Sequence, residues 1–247
     1  GKLFLALAPM DGVTDASFRY LMDAFYGASA AIDHFTCEFV RVTDRLLPDH
    51  IFYRHCPELK HGGCSPHGIP VFVQLLGGKK DPMAHNAKRA VELGAQGVDL
   101  NFGCPAKVVN RHDGGAAILK EPQRIEALTQ AVKMAMPSHV PLSVKIRLGW
   151  DSSEHIVDIA KAAEAGGADW LTVHARTRTQ LYRPPVDWVA ISRATRAIQI
   201  PVIANGDIFS NQAMTACQSQ SEAAGFMIGR GAMAYPDLFS LLRDANK

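Results

Sequence analysis

Residues 97–105 read Gly-Val-Asp-Leu-Asn-Phe-Gly-Cys-Pro, a short apolar strand that turns abruptly polar and tight. Val98 and Leu100 flank Asp99, Asn101 brings both a donor and an acceptor, and Gly103 lets a flat ligand lie against the backbone. Cys104 offers a thiol, and Pro105 stops the strand from continuing. A thiol with an ordinary pKa of about 8.5 is mostly protonated near neutrality, so it can give a proton as well as attack. A cysteine alone at a strand end is most often a small buried core residue. Here the same design, an apolar run ending in polar residues, recurs along the whole chain.

Candidate strands occupy residues 3–8, 31–39, 71–75, 97–102, 142–148, 170–174, 202–205 and 225–228. Candidate helices lie at 16–25, 82–93, 122–136, 154–165, 188–197, 212–218 and 236–243. Asp15 suits the N-cap of the first, while Pro82 and Gly94 bracket the second. The stretch 41–68 shows no strong helical face, so the second unit is irregular. Near-continuous apolar strands alternating with helices predict a parallel sheet buried on both sides. Eight such units in 247 residues predict an α/β fold, one TIM (β/α)8 barrel over residues 1–247.

Composition narrows the class. A hydrophobic fraction of 47% and a charged fraction of 20% are those of an ordinary soluble globular protein. No apolar run reaches the roughly 18–20 residues of a membrane span, and the opening LFLALAP is too short for a signal peptide. Twenty-six basic against 24 acidic side chains is too mild an excess to announce nucleic acid, so any RNA contact must rest on a local patch. Five cysteines and no export signal predict reduced thiols and a cytoplasmic location. Cys56 and Cys64, with His55, His61 and His67 nearby, raise the question of zinc. Their spacing contains no CxxC pair, so a surface excursion is expected there and no metal.

A barrel puts function at the C-terminal ends of its strands. Those ends carry Pro9-Met10-Asp11-Gly12, Glu38, Gln74, Asn101 to Cys104, Lys145 with Arg147, His174 with Arg176, Asn205-Gly206-Asp207, and Gly229-Arg230-Gly231. One polar residue after a strand is an ordinary turn residue; eight at one level predict a site. The last two ends stand where barrels commonly bind phosphate through loop N–H groups and a helix N-terminus. Arg230 could add a bidentate contact, whereas Asp207 suits ligand hydroxyls or a helix cap. Lys145 points into the mouth, where an unpaired ammonium is costly to bury. A reduced flavin, negative at its N1–C2 carbonyl edge, would serve it, with Gln74 on the pyrimidine edge and His174 assisting. An ion pair with Glu38 or Asp99 is the other reading. Arg176, Arg178 and Arg183 around the sixth strand end could form a basic rim for phosphates.

APMDGVTD near the start, EFVRV at 38–42, VQLLG at 73–77, VDLNFGCP at 98–105, GGAAIL at 114–119, SVKIRLGW at 143–150, TVHAR at 172–176, VIANGDI at 202–208 and MIGRGA at 227–232 resemble the tRNA-dihydrouridine synthases over nearly the whole chain. TCEFVRV together with KIRLGWD is most similar to the bacterial C-type branch, which suggests U16 of the D-loop as the target. The resemblance implies an FMN-dependent enzyme that uses NADPH to reduce uridine to 5,6-dihydrouridine in tRNA. Hydride would pass from flavin N5 to uracil C6, and Cys104 would protonate C5. By the same resemblance Pro9, Met10 and Asp11 would lie along the flavin ring, Gln74 and Lys145 at its pyrimidine edge, and His174 close by. Asn205, Gly206, Asp207, Gly229 and Arg230 would hold the ribityl-phosphate end, and Asn101, Arg147 and Arg41 would meet the flipped-out uridine or its backbone.

The loop 106–116, with Lys107, Arg111, His112 and a Gly114-Gly115 end, reads as a lid that closes over substrate. Family members continue into a C-terminal helical domain that holds much of the tRNA, and this chain stops at Lys247, so that domain is expected to lie outside it. A monomer is expected. Two other readings stay open: a flavin barrel acting on a free pyrimidine, as dihydroorotate dehydrogenases do, and a flavin-bound tRNA-binding module without turnover. The basic mouth favours a polyanionic substrate over a free base.

Overall fold

The computed structural model describes residues 2–111 and 113–245, which leaves His112 outside the described residues. Among the described residues nine short strands form: β1 (Phe4–Leu7), β2 (Phe35–Thr36), β3 (Val40–Arg41), β4 (Val71–Leu76), β5 (Val98–Phe102), β6 (Leu142–Arg147), β7 (Trp170–His174), β8 (Val202–Asn205) and β9 (Gly225–Ile228). All pairings are parallel, in the order β1-β9-β8-β7-β6-β5-β4-β2, with β3 also on β4. A parallel bridge between Ala6 and His34 and the bond from Leu7 N to His34 O at 3.2 Å close the circle. The predicted TIM barrel is the observed fold.

One strand differs from expectation. The stretch 31–39 forms a strand only at Phe35–Thr36, and pairing resumes at Val40–Arg41. Cys37 N still bonds Phe72 O, but Glu38 leaves the ladder to accept the amide hydrogen of Gly12 in the first strand–helix loop. The interruption puts a carboxylate at the mouth, and hydropathy alone does not register it.

The helices are α1 (Ala16–Tyr26), α2 (Asp49–His55), α3 (Lys80–Glu92), α4 (Lys107–Arg111), α5 (Pro122–Ala135), α6 (Ile156–Ala165), α7 (Trp188–Ala197), α8 (Asn211–Ser221), α9 (Arg230–Ala234) and α10 (Leu238–Asp244). Asp15 caps α1 by accepting from Phe18 N, and Ser210 caps α8 by accepting from Ala213 N. Helices α2, α4 and α9 were not expected. At five to seven residues they are too short to print a helical period on the sequence.

Alternation along the strands turns Gln74, Asp99, Asn101, Ser143, Lys145, Thr172, His174 and Asn205 toward the barrel interior. Phe4, His34, Phe72 and Trp170 fill the N-terminal end, with the His34 and Phe72 rings 4.3 Å apart. Burial drives the His34 pKa down to about 3, so this plug is uncharged. The site is therefore open at one end only.

The excursion 55–68 is held to α1 by buried polar groups. Arg19, 1% exposed, forks onto Glu58 with two bonds of 2.8 Å and also donates to the carbonyls of Thr14 and His55. One turn later Asp23 accepts from Ser65 Oγ and meets His67 Nδ1 at 2.8 Å. Cys56 of this stretch is buried in the core while His61 and His67 are exposed; among the described residues no group of three or more His, Cys, Asp or Glu is placed to hold a metal ion. Among them, too, no helix is long and apolar enough to cross a membrane.

Candidate active site at the barrel mouth

The strand ends enclose a cavity of about 550 Å³. Pro9, Met10 and Asp11 line one part of it, Gln74, Asn101 and Cys104 another, and Lys145, Arg147 and His174 a third; Asn205, Gly206, Asp207, Gly229 and Arg230 complete the wall. Fourteen of the sixteen residues expected at the site thus meet in one place. Arg41 stands exposed at the end of β3, outside the cavity wall. Arg176 is a correction. It is 1% exposed and grips Asp207 in a fork at 3.0 and 2.7 Å, with Nε on Arg183 O, so it cannot serve as rim for substrate phosphates.

Asp207 is explained by the same fork. It neither caps a helix, since Ser210 caps α8, nor stands free for ligand hydroxyls; it is held between Arg176 and Arg230. Its carboxylate ties the β8–α8 loop to the loops that follow β7 and β9. Asn205 also acts within the barrel, donating Nδ2 to Met227 O at 2.8 Å and presenting Oδ1 to Lys145.

Lys145 carries the electrostatics. Nζ reaches Asn205 Oδ1 only at 3.4 Å, a weak bond for an ammonium. Burial and then Arg147 push its pKa from 10.5 down to about 8, with Asp99 opposing them. It is still mostly cationic at neutral pH, inside a cavity and poorly partnered. His174 is held well below its ordinary pKa by burial and by Arg147, Lys145, Arg176 and Arg230, so its imidazole is neutral. This donor set fits an anionic group seated in the cavity.

Two glycines let the elements of the mouth pack closely. Gly206 has φ +121°, and a Cβ there would stand 3.0 Å from His174 Cδ2. A Cβ on Gly231 would lie 2.3 Å from the Ile208 carbonyl oxygen, which pins the loop after β9 against the loop after β8.

Cys104 is half-buried at the opening, and burial pushes its thiol above the usual range. It is therefore protonated at neutral pH, as a proton donor must be. Asn101 Oδ1 accepts from Gly103 N at 3.0 Å and Cys104 N at 2.9 Å, and Nδ2 donates to Gln74 Oε1 at 2.9 Å. Arg147 donates to the carbonyls of Gly103, Thr177 and Leu181, so much of its fork shapes the mouth. The segment 106–116 contains α4 and is tethered by Asn110, whose Nδ2 donates to Cys104 O and Gly114 O while Oδ1 accepts from Arg178. His112, expected in that lid, lies outside the described residues.

Tyr182 was not expected. It lines the cavity at 56% exposure, with the guanidinium groups of Arg147 and Arg230 at 5.3 and 5.4 Å from its ring and His174 at 6.2 Å. It lies in the loop after β7, a stretch without periodicity, whose carbonyls at Thr177, Leu181 and Arg183 are held by Arg147 and Arg176.

A closed parallel barrel with a cationic cavity at its strand ends and a protonated thiol at the opening defines a TIM-barrel protein with a strand-end site suited to an anionic ligand and an acid. Residues 6–247 match the pattern of a family described as Dihydrouridine synthase (Dus), and the chain belongs to that family. It is 48% identical over 238 residues to the tRNA-dihydrouridine(16) synthase of Haemophilus influenzae and 47% identical to that of Escherichia coli K12. These matches cover 96% of this chain and 76% and 74% of the two relatives, so it spans about three quarters of their length. A solved structure of an NCR variant from Zymomonas mobilis shares the barrel fold, with a TM-score of 0.65 at 16% identity over 99% of this chain and 87% of that one.

Proposed function

We propose that this chain reduces uridine to 5,6-dihydrouridine in tRNA, at position 16, with FMN in the mouth cavity and NADPH as reductant. The observation that carries the reading is a single cavity combining a poorly partnered Lys145 ammonium with a protonated Cys104 thiol. The family and the names of its relatives support the same reaction. When bound, FMN supplies the hydride and accepts electrons from NADPH.

The chain's own residues do the rest. Lys145 would neutralise negative charge at the cofactor's pyrimidine edge, with Gln74 and His174 beside it. Pro9, Met10 and Asp11 would bound the ring. Gly206, Gly229 and Arg230 would receive the phosphate end, with Asp207 holding Arg230 in place for it, while Asn205 would hold Lys145 at the pyrimidine edge. Cys104 would give its proton to uracil C5. Asn101, Arg147 and Tyr182 would receive the uridine, which leaves its stack at a cost of a few kcal/mol. Arg41 and Arg178 remain for the tRNA backbone. We read the protein as a cytoplasmic monomer; its five free cysteines suit a reducing compartment.

The test is a visible spectrum before and after anaerobic NADPH, followed by tRNA. Flavin bands that bleach with NADPH and recover as dihydrouridine appears at position 16 are expected. Absence of flavin bands after FMN is added back would overturn the cofactor assignment. Bleaching followed by turnover of free uracil but not tRNA would instead favour the free-pyrimidine reading.

A further inference from the structure

Asp99 lies one step below the cavity floor on β5, 2% exposed, and it does not line the cavity. Its carboxylate accepts from Gln74 Nε2 at 2.7 Å and from Ser143 Oγ at 2.5 Å, the neighbours paired with it on β4 and β6. Gln74 Oε1 accepts from Asn101 Nδ2, and Asn101 Oδ1 accepts from the amides of Gly103 and Cys104. The chain of bonds therefore starts at a group that only accepts and ends at backbone groups that only donate. The two side-chain amides between them could each turn by half a rotation at little cost in shape. The backbone donors at one end permit one direction, and the carboxylate at the other anchors it.

We propose that Asp99 is a positioning residue whose carboxylate anchors Gln74 and, through it, Asn101, and thereby holds the Cys104 backbone where its thiol faces the cavity. The N–H groups of Gly103 and Cys104 set the direction of Asn101, and Asn101 Nδ2 sets that of Gln74. Without an acceptor at position 99, Gln74 Nε2 is left buried and unpaired, Gln74 moves off Asn101, and the segment after β5 comes loose. This rests on Cys104 as the proton donor proposed above; reading the thiol itself, rather than turnover, keeps failure of the one distinct from failure of the other.

The experiment is iodoacetamide alkylation of Cys104 in the intact, flavin-stripped and flavin-loaded chain, followed by peptide mass spectrometry, with thermal melting as the check on folding. Wild type should react slowly. Asp99→Leu should react about fivefold faster, the shift in population expected for one lost hydrogen bond. The double variant Asp99→Asn with Gln74→Glu moves the carboxylate one link along. The amide introduced on β5 can then donate to the carboxylate introduced on β4, which accepts from Asn101. Asn101 keeps its direction, and the wild-type rate should return. Should Asp99→Leu not fold, Gln74→Leu takes its place: it cuts the same chain one link higher and should also react faster. A folded Asp99→Leu that reacts at the wild-type rate would overturn the proposal. So would a folded double variant that stays as fast as Asp99→Leu, since only the restored chain of bonds gives a reason for the rescue.

Discussion

Lys145→Met should make the flavin-free protein more stable while weakening its hold on FMN. Methionine is close in length to the lysine stem, so the change removes a charge with little change in packing. The lysine pKa falls from 10.5 to about 8, a difference that disfavours the buried ammonium by up to about 3 kcal/mol at 1.36 kcal/mol per unit. Below pH 8 the folded and unfolded chains both carry this charge, and the folded state bears the full cost. The cost fades as pH rises from about 8 to 10.5, where the folded lysine neutralises first. At pH 7 the flavin-free variant should therefore melt up to roughly 6–12 °C above wild type, and the gap should close as pH rises from about 8 to 10.5. In the complex the sign reverses. Losing a hydrogen bond from a charged group costs about 1.5–3 kcal/mol, so the Kd for FMN should rise roughly 10- to 150-fold. Calorimetric melting of the stripped proteins reads the first effect, and flavin fluorescence titration reads the second. A variant that melts lower than wild type and binds FMN equally well would refute the reasoning, because Lys145 would then be a structural cation and not an anion anchor.

Cys104→Ala should keep its flavin spectrum and bleaching by NADPH while dihydrouridine formation falls roughly 10²- to 10⁴-fold, the usual loss for one positioned acid; unchanged turnover would move the proton donor elsewhere. Asp99 titrates at about 6 in the folded chain against 3.8, so the wild type loses stability as pH rises through that window. Asp99→Asn lacks the titration and should gain about 2–3 kcal/mol relative to wild type between pH 4 and pH 7 in urea denaturation; parallel pH profiles would show that the shift is absent. Gly231→Ala drives a Cβ into the Ile208 carbonyl 2.3 Å away, so flavin should be lost on gel filtration, and full retention would mean that this loop does not shape the site. Arg19→Met strands Glu58 beneath the excursion 55–68, and about 3–5 kcal/mol of stability should go with it, together with faster proteolysis of that segment. A melt within a degree of wild type would place the anchor elsewhere.

Much of the site was readable because barrel strands force one regular relation between position and place. Each apolar run is buried on both sides, as in β4, where all six residues are buried, and the next polar residues must emerge at the same end. That relation alone brought Gln74, Lys145 and His174 together. It could not tell which donors were already engaged. Arg176 and Arg230 both follow strands and look equally available, yet one is buried on Asp207 and the other remains 47% exposed beside it. Asn205 reads as a ligand contact, and in the cavity wall it is also a partner of Lys145. Nor does periodicity reach Tyr182, α2, α4 or α9, or the break at Glu38, which depend on contacts between loops far apart in the chain.

Local sequence suffices for the eight-unit parallel barrel, the end of it that carries the chemistry and the family to which the chain belongs, because strand alternation and short motifs are properties of neighbours along the chain. It takes the folded arrangement to establish which cations face the cavity, that Cys104 stays protonated, that Asp207 is held between two arginines and that the Asp99 carboxylate meets Gln74 beneath the floor. Those properties belong to charges and hydrogen-bonding groups brought together from distant positions in the chain. Burial and electrostatic coupling act across space, so they take their values only once the barrel has closed.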